Sequence, residues 1–314
     1  MNKRLMLVAG AVAILAIIAL TIIFRPRPFT VSFQPAAINY PMIHAIEGKF
    51  FENQGLKPAV QQFTSANDAL DALLGGSTFV NAAIPLQNLA SIQQQRPNTL
   101  GIFALVLSDN QHPLSYLVVP SKSNINSASD LQGKTIVVFP GSHSETLTRL
   151  TLNKIGVSNV TFIKRAPSDM PKALQGGDAD AGILYDPVAT QASLDGWGRI
   201  VERAFWENHL LPVLVVGAYT YNMAEAEKNP ETARRVFAAL EAAIADAKQN
   251  PRNAKMVMKK YLGVSEKVID QLPNARVELA RDIDPKLLDQ TVEIYAANGI
   301  ITGGAPDLKG LLRK

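Results

Sequence analysis

The sequence predicts an α/β protein built on mainly parallel sheets, and three observations predict it. Residues 29–63 read strand, polar loop, helix, strand, which is a βαβ unit. Strand-like and helical patches keep alternating to about residue 220, the pattern that places helices on the faces of a sheet. About 285 of the 314 residues follow an apolar N-terminal run, enough for two domains with a core each.

The first strand is 29–33, bounded by the polar loop 34–39. A helix is expected next, because Met42, Ile43, Ile46, Phe50 and Phe51 recur at spacings of three to four residues. Gly55 stands where a helix-terminating glycine belongs, and 60–63 begins a second strand. Ser65, with Asp68 three residues on, is expected to cap a short helix that ends at Gly75-Gly76. Strands are expected at 79–84, 100–107, 114–120, 135–139, 160–164, 181–184 and 211–218. A helix follows Pro140-Gly141-Ser142-His143-Ser144, and another begins at Pro187. From Pro230 onward the periodicity is helical, over 231–248, 252–261, 265–271 and 285–298. No internal repeat or low-complexity tract appears.

Residues 5–24 carry no charge over 20 positions. At about 1.5 Å per residue the run reaches about 30 Å, the thickness of a bilayer core. It is expected to be one N-terminal transmembrane helix within an anchor segment 1–28. A cleaved signal peptide is the alternative, but Thr21-Ile22-Ile23-Phe24-Arg25-Pro26 offers no small-residue cleavage site.

The chain holds 31 Lys+Arg against 27 Asp+Glu, and Lys3, Arg4, Arg25 and Arg27 supply the whole excess. The remainder is neutral and has no basic stripe interleaved with aromatics, which argues against nucleic acid as a partner. There is no cysteine, so disulfides, thiolate nucleophiles and cysteine-ligated zinc are excluded. The four histidines are scattered and lack metal-ligand spacing, so neither a metal nor another cofactor is expected. No G-x-S-x-G elbow, P-loop or G-x-G-x-x-G is present, and no catalytic residue is assigned.

Three segments in order resemble the periplasmic solute-binding proteins of nitrate/sulfonate/taurine-type ABC transporters, a group related to thiamine-pyrimidine-binding proteins. They are EGKFFENQGLKPAV (Gly48, Phe50, Gly55, Leu56), SASDLQGKTIVVFPGSHSETLTRLTLNKIGV (Asp130, Leu131, Gly133, Lys134, Pro140, Gly141, Ser142) and ALQGGDADAGILYDPVATQA (Gly177, Asp178, Asp180, Ala181, Asp186, Pro187). Together they span about 30–220. Two departures stand out: the lipid-attachment cysteine of many relatives is missing, and Asp186 replaces the usual Glu before Pro. The missing cysteine leaves the run 5–24 as the physical substitute for a lipid tether.

The resemblance implies a two-lobed, hinged periplasmic-binding-protein fold of type II-like organisation. Lobe 1 would comprise 29–117 plus 217–314 and lobe 2 118–216, with crossings at 117–120 and 215–219. A small-molecule ligand would be enclosed in the cleft. The implied partner is an ABC permease, and the implied location is the periplasmic face of the cytoplasmic membrane. The folded part is expected to be a monomer. Relatives that synthesise the thiamine pyrimidine depend on a cysteine-rich motif, which a chain without cysteine cannot supply.

Strand-end loops carry the candidate ligand contacts. Gln34 and Asn39 flank the loop before the first helix, whose free N–H groups suit an anionic head group; Asn39 would also serve as a cap, and Tyr40 as a cleft wall. Thr64 and Ser65 could add hydroxyl contacts. Ile84 and Pro85 end an apolar strand, where core packing competes with ligand shape. Gly141, Ser142, His143 and Ser144 occupy the matching loop of lobe 2, with Ser142 and Glu145 spaced as a capping box. Asp186 could hold a cationic or hydroxyl group, or cap the helix after Pro187. None of these loops contains Lys or Arg, which weakens a simple anion site and leaves a neutral or mixed ligand open. Function is expected to be capture of a sulfonate- or nitrate-like or other small organic solute for a permease. The alternatives are a tethered ligand sensor and a binder of a thiamine-pyrimidine or flavin-type molecule.

Overall fold

The computed structural model describes residues 29–140 and 143–314. The anchor segment 1–28, with its apolar run 5–24, and the candidate contacts Gly141 and Ser142 lie outside the described residues. Among the described residues no helix is long and apolar enough to cross a membrane.

Eleven described strands form two sheets. In chain order they are β1 (Thr30–Phe33), β2 (Ala59–Gln62), β3 (Val80–Pro85), β4 (Leu100–Asp109), β5 (Tyr116–Pro120), β6 (Thr135–Val138), β7 (Thr161–Lys164), β8 (Ala181–Leu184), β9 (Gly198–Arg203), β10 (Val213–Asn222) and β11 (Arg276–Leu279). The six-stranded sheet has the order β11-β4-β10-β3-β1-β2, and the five-stranded sheet β7-β6-β8-β5-β9. The expected mainly parallel pairing needs correction. β1 is parallel to β2 and β3, and β6 to β7 and β8, but β10 runs antiparallel to β3 and β4, β11 to β4, and β5 to β8 and β9. β4 and β9 lead into the two passages between the sheets, and β5 and β10, which follow them, enter their sheets from the cleft side, antiparallel to β8 and β9 and to β3 and β4. β5 and β10 therefore oppose strands that point their C-terminal ends at the cleft.

The chain leaves the first sheet after Asp109 and enters the second at Tyr116; it leaves again after Arg203 and returns at Val213. The expected crossings at 117–120 and 215–219 thus fall inside strands β5 and β10. The apolar runs there read as linkers only until their sheet partners are seen.

The expected helix through Phe51 is two pieces, Tyr40–Glu47 and Phe50–Asn53. Lys49 adopts a left-handed φ of 62° between them. A Cβ on Gly48 would lie 2.7 Å from the Phe50 ring and 2.8 Å from the His44 carbonyl oxygen, so glycine is required at the break. Ser65 caps as expected, its Oγ accepting from Asp68 N–H at 3.4 Å. Strands β9 and β11 and helix Phe205–His209 depart from the expected elements; all are short, and the alternation of Arg276-Val277-Glu278-Leu279 in β11 spans only four residues.

Helix Pro230–Gln249 buries Ala233, Val236, Phe237, Leu240, Ala243, Ile244 and Ala247 along one stripe. It lies against helix Tyr40–Glu47 and the first sheet. Phe237 stacks on Phe103 at 5.1 Å, and each buried aromatic of this kind contributes about 2 kcal/mol. One apolar core runs through both sheets' inner faces, and a smaller cluster joins Tyr40 to Met258, Val268 and Leu272.

Candidate ligand-binding cleft

Parallel strands deliver their C-terminal ends to one edge of a sheet, and here both sheets turn that edge toward each other. The loop after β1 meets the loop after β8, where Ala37 N–H donates to the Asp186 carbonyl at 3.4 Å. The helix after β3 meets the helix after β6, where His143 Nδ1 is hydrogen-bonded to Gln87 Oε1. These two contacts join the lobes across the cleft.

Aromatic side chains of lobe 2 form one wall. Tyr185 stacks on Phe139 with ring centroids 4.0 Å apart. Trp206 presents its edge to Tyr185 at 5.7 Å and stands at 89° to His143 at 5.6 Å. The Trp206 indole is fixed by donating to Thr148 Oγ1 at 3.2 Å. Burial pushes the Tyr185 phenol up, so it stays protonated. His143 keeps some surface, but its ring is enclosed between Gln87 and Trp206. Desolvation lowers its pKa to about 4, which makes it a neutral imidazole near pH 7.

Gln34 behaves differently. Its Oε1 and Nε2 are both buried, and neither has a hydrogen-bond partner among the described residues. Asn39, 1% exposed, lies beside it: Asn39 Nδ2 donates to the Gln34 carbonyl at 2.9 Å, while Asn39 Oδ1 is buried without a partner. The expected capping role of Asn39 is not observed, because its side chain turns back to Gln34 and makes no bond to the helix.

The Asp186 carboxylate is fully engaged inside its own lobe. It accepts from Tyr116 OH at 2.5 Å, Thr190 Oγ1 at 2.7 Å and Thr190 N–H at 3.1 Å. Burial raises its pKa against those bonds. Of the two expected roles, the cap is the one its carboxylate performs, and only its backbone carbonyl reaches lobe 1. Glu207 is engaged in the same way at the lobe passages. It accepts from Ser108 Oγ, from Ser115 Oγ at 3.2 Å and from Leu114 N–H at 3.4 Å, so one buried carboxylate ties the first passage to the second. Desolvation raises the pKa of Glu207 too.

The other predicted residues divide. Tyr40, 2% exposed, packs into the cluster with Met258 and Leu272, and burial pushes its phenol up to about 12. It is a core residue in this structure rather than an open cleft wall. Thr64 is exposed, and Ser65 spends its hydroxyl on the cap. Ile84 is wholly buried. Beside it Ala83 takes a left-handed φ of 61°, where β3 carries one more residue than β10. A Cβ on Gly217 would sit 2.7 Å from the Ile84 carbonyl oxygen, so the bulge and the returning strand need a glycine between them. Pro85 is half-buried at the mouth, and Ser144 is buried beside Tyr185. A crevice runs along the cleft toward the passages, lined by Ile38, Pro113, Tyr185, Asp186, Asn274 and Ala275.

Sequence reasoning missed Gln87 and Phe139 as site residues, although both sit at strand ends, which was a usable signal. Trp206 is wholly buried and packs against Tyr185 and His143. Among the described residues no group of three or more His, Asp or Glu side chains could hold a metal ion.

A family model described as NMT1/THI5 like matches residues 39–254. A putative aliphatic sulfonates-binding protein of Escherichia coli K12 is 24% identical over 191 residues, covering 59% of this chain and 58% of that one. The chain therefore spans little more than half the length of this curated relative. Among solved structures, the periplasmic aliphatic sulphonate binding protein SsuA of Escherichia coli superposes with a TM-score of 0.72 at 20% identity, covering 92% of this chain and 93% of that one. The periplasmic nitrate-binding protein NrtA of Synechocystis gives a TM-score of 0.61 at 15% identity, covering 77% and 69%. These likenesses fix the fold as the two-sheet α/β architecture of periplasmic binding proteins.

Proposed function

The chain belongs to the NMT1/THI5-like family, and on that premise we propose that it captures a small solute between its lobes for delivery to an ABC permease. One observation carries the reading. Loops from both sheets meet edge to edge, and the contacts Ala37–Asp186 and Gln87–His143 close them over a crevice of polar and aromatic groups. Such a cleft excludes water from a solute and couples its capture to lobe closure.

The protein acts as a binder rather than a catalyst. Its buried carboxylates, Asp186 and Glu207, are occupied in holding the scaffold and present no free acid or base. Lobe 2 would rotate about the passages at 110–115 and 204–212, with Glu207 coupling the two. The segment 5–24 would hold the folded part, as a monomer, at the periplasmic face of the cytoplasmic membrane.

Native mass spectrometry of the full chain, purified without unfolding, tests this reading. A small molecule should travel with the protein, and its removal should enlarge the radius of gyration in X-ray scattering as the lobes open. A chain that carries no small molecule and keeps one radius under all conditions would overturn it.

A further inference from the structure

Polar atoms buried without a partner are rare in folded proteins, and three of them lie together on the loop after β1. They are Gln34 Oε1, Gln34 Nε2 and Asn39 Oδ1. The orientation of Asn39 is fixed by chemistry: turning its amide over would set Oδ1 against the Gln34 carbonyl oxygen, where Nδ2 now donates at 2.9 Å. The group left free on Asn39 is therefore an acceptor. On Gln34 one acceptor and one donor group remain. The loop that carries them abuts lobe 2 through Ala37 N–H and the Asp186 carbonyl, and its residues Ala36, Ala37 and Ile38 line the crevice.

The cation lining the crevice, Arg276, is held by Asp109, its Nη1 donating to Asp109 Oδ2 at 2.6 Å. Burial keeps the His143 imidazole neutral, and its Nδ1 is already occupied by Gln87. The two cations that act on Asp186 are engaged elsewhere. Lys255 Nζ donates to the Leu272 carbonyl at 2.7 Å, and the Arg203 guanidinium lies over the Tyr116 ring at 5.4 Å. A sulfonate or nitrate group carries acceptors only. It could satisfy Gln34 Nε2, but it would leave Gln34 Oε1 and Asn39 Oδ1 buried and facing further oxygen.

Resting on the solute-capture reading above, we propose that the solute presents an N–H donor beside a carbonyl-type acceptor, as in a primary amide, a urea or a lactam. That edge pairs with the Gln34 carboxamide in both directions, and a second N–H reaches Asn39 Oδ1. The selectivity follows from the stranded acceptors. A site built to receive a donor rejects a ligand that lacks one far more strongly than it rejects a change of size.

The test uses the full chain. The solute released on unfolding is identified by high-resolution mass spectrometry, and acetamide, methylurea, 2-pyrrolidinone, methanesulfonate and nitrate are titrated calorimetrically. A released solute with an amide, urea or lactam edge, amide probes that bind, and a loss of at least tenfold in Gln34→Met and in Gln34→Glu support the proposal. Gln34→Met should fold normally, since no protein group depends on that amide. A released solute without an N–H donor, saturation by methanesulfonate or nitrate but not by the amides, or unchanged amide affinity in Gln34→Met would overturn it and leave solute capture standing. No released solute and no binding by any probe would remove both.

Discussion

The two loops that touch across the cleft handle their polar groups in opposite ways. After β8, Asp186 buries a carboxylate and satisfies both oxygens within lobe 2, through Tyr116 and Thr190. After β1, Gln34 and Asn39 bury three polar atoms and leave them unpaired. An unmade buried hydrogen bond costs about 1–3 kcal/mol, so the first loop adds to the stability of the lobe and the second detracts from it. One side of the cleft is finished by its own fold, and on the proposed reading the other would be finished by the solute.

Substitutions can break this contrast or sharpen it. The largest effect is expected at Asp186→Ala, which strands the buried Tyr116 hydroxyl and frees the first turn of helix Val188–Leu194. Stability should fall by about 3 kcal/mol in denaturant unfolding. A loss below about 1 kcal/mol would mean that the carboxylate is not a scaffold.

His143 comes next. Its folded pKa of about 4 lies below the usual value of 6.5, so between these values the unfolded chain takes up a proton that the native ring refuses. The stabilising neutral state is intact above about pH 6.5 and is lost as the pH falls toward 4. Allowing for the partial exposure of the ring, wild type should lose roughly 2 kcal/mol against His143→Gln over that window. Parallel stability-versus-pH curves for the two proteins would refute the enclosure of the imidazole.

A smaller effect, about 1 kcal/mol, is expected for Ser65→Ala, which removes the cap from helix Ala66–Leu74. It should leave solute affinity within a factor of two, because the hydroxyl faces the helix and not the cleft; a tenfold loss would return Ser65 to the site. The smallest stability change belongs to Gln34→Met. Without solute its unfolding free energy should stay within about 0.5 kcal/mol of wild type, since no protein bond is lost. A drop of 2 kcal/mol would show that Gln34 belongs with Asp186 among the scaffold groups.

Much of the fold was legible because it rests on local periodicity. The βαβ opening, the Ser65 cap and the strands around residues 100–107 and 135–139 follow from apolar spacing and turn chemistry over ten or so residues. The passages between lobes were misplaced because the apolar runs 117–120 and 215–219 look like any buried strand. Only their partners, β8 and β9 for one and β3 and β4 for the other, assign them to sheets. Within the site, the loops were legible and the roles were not. Asn39 has the composition and position of a cap, yet it bonds backward to Gln34. Asp186 and Asn39 look equally available in a string of letters, and nothing local reveals that Tyr116, seventy residues away, occupies one of them.

By itself the sequence determined an α/β chain with polar loops at strand ends, a neutral folded part and no thiol chemistry. Those properties depend on composition and on spacings shorter than one element. The tertiary structure decided which strands share a sheet, which carboxylates are consumed as scaffold, that Gln87 meets His143, and that the Gln34 carboxamide and Asn39 Oδ1 find no partner among the described residues. Each of these is a pairing between residues remote in sequence, fixed only when burial forces every polar group to find a partner or go without.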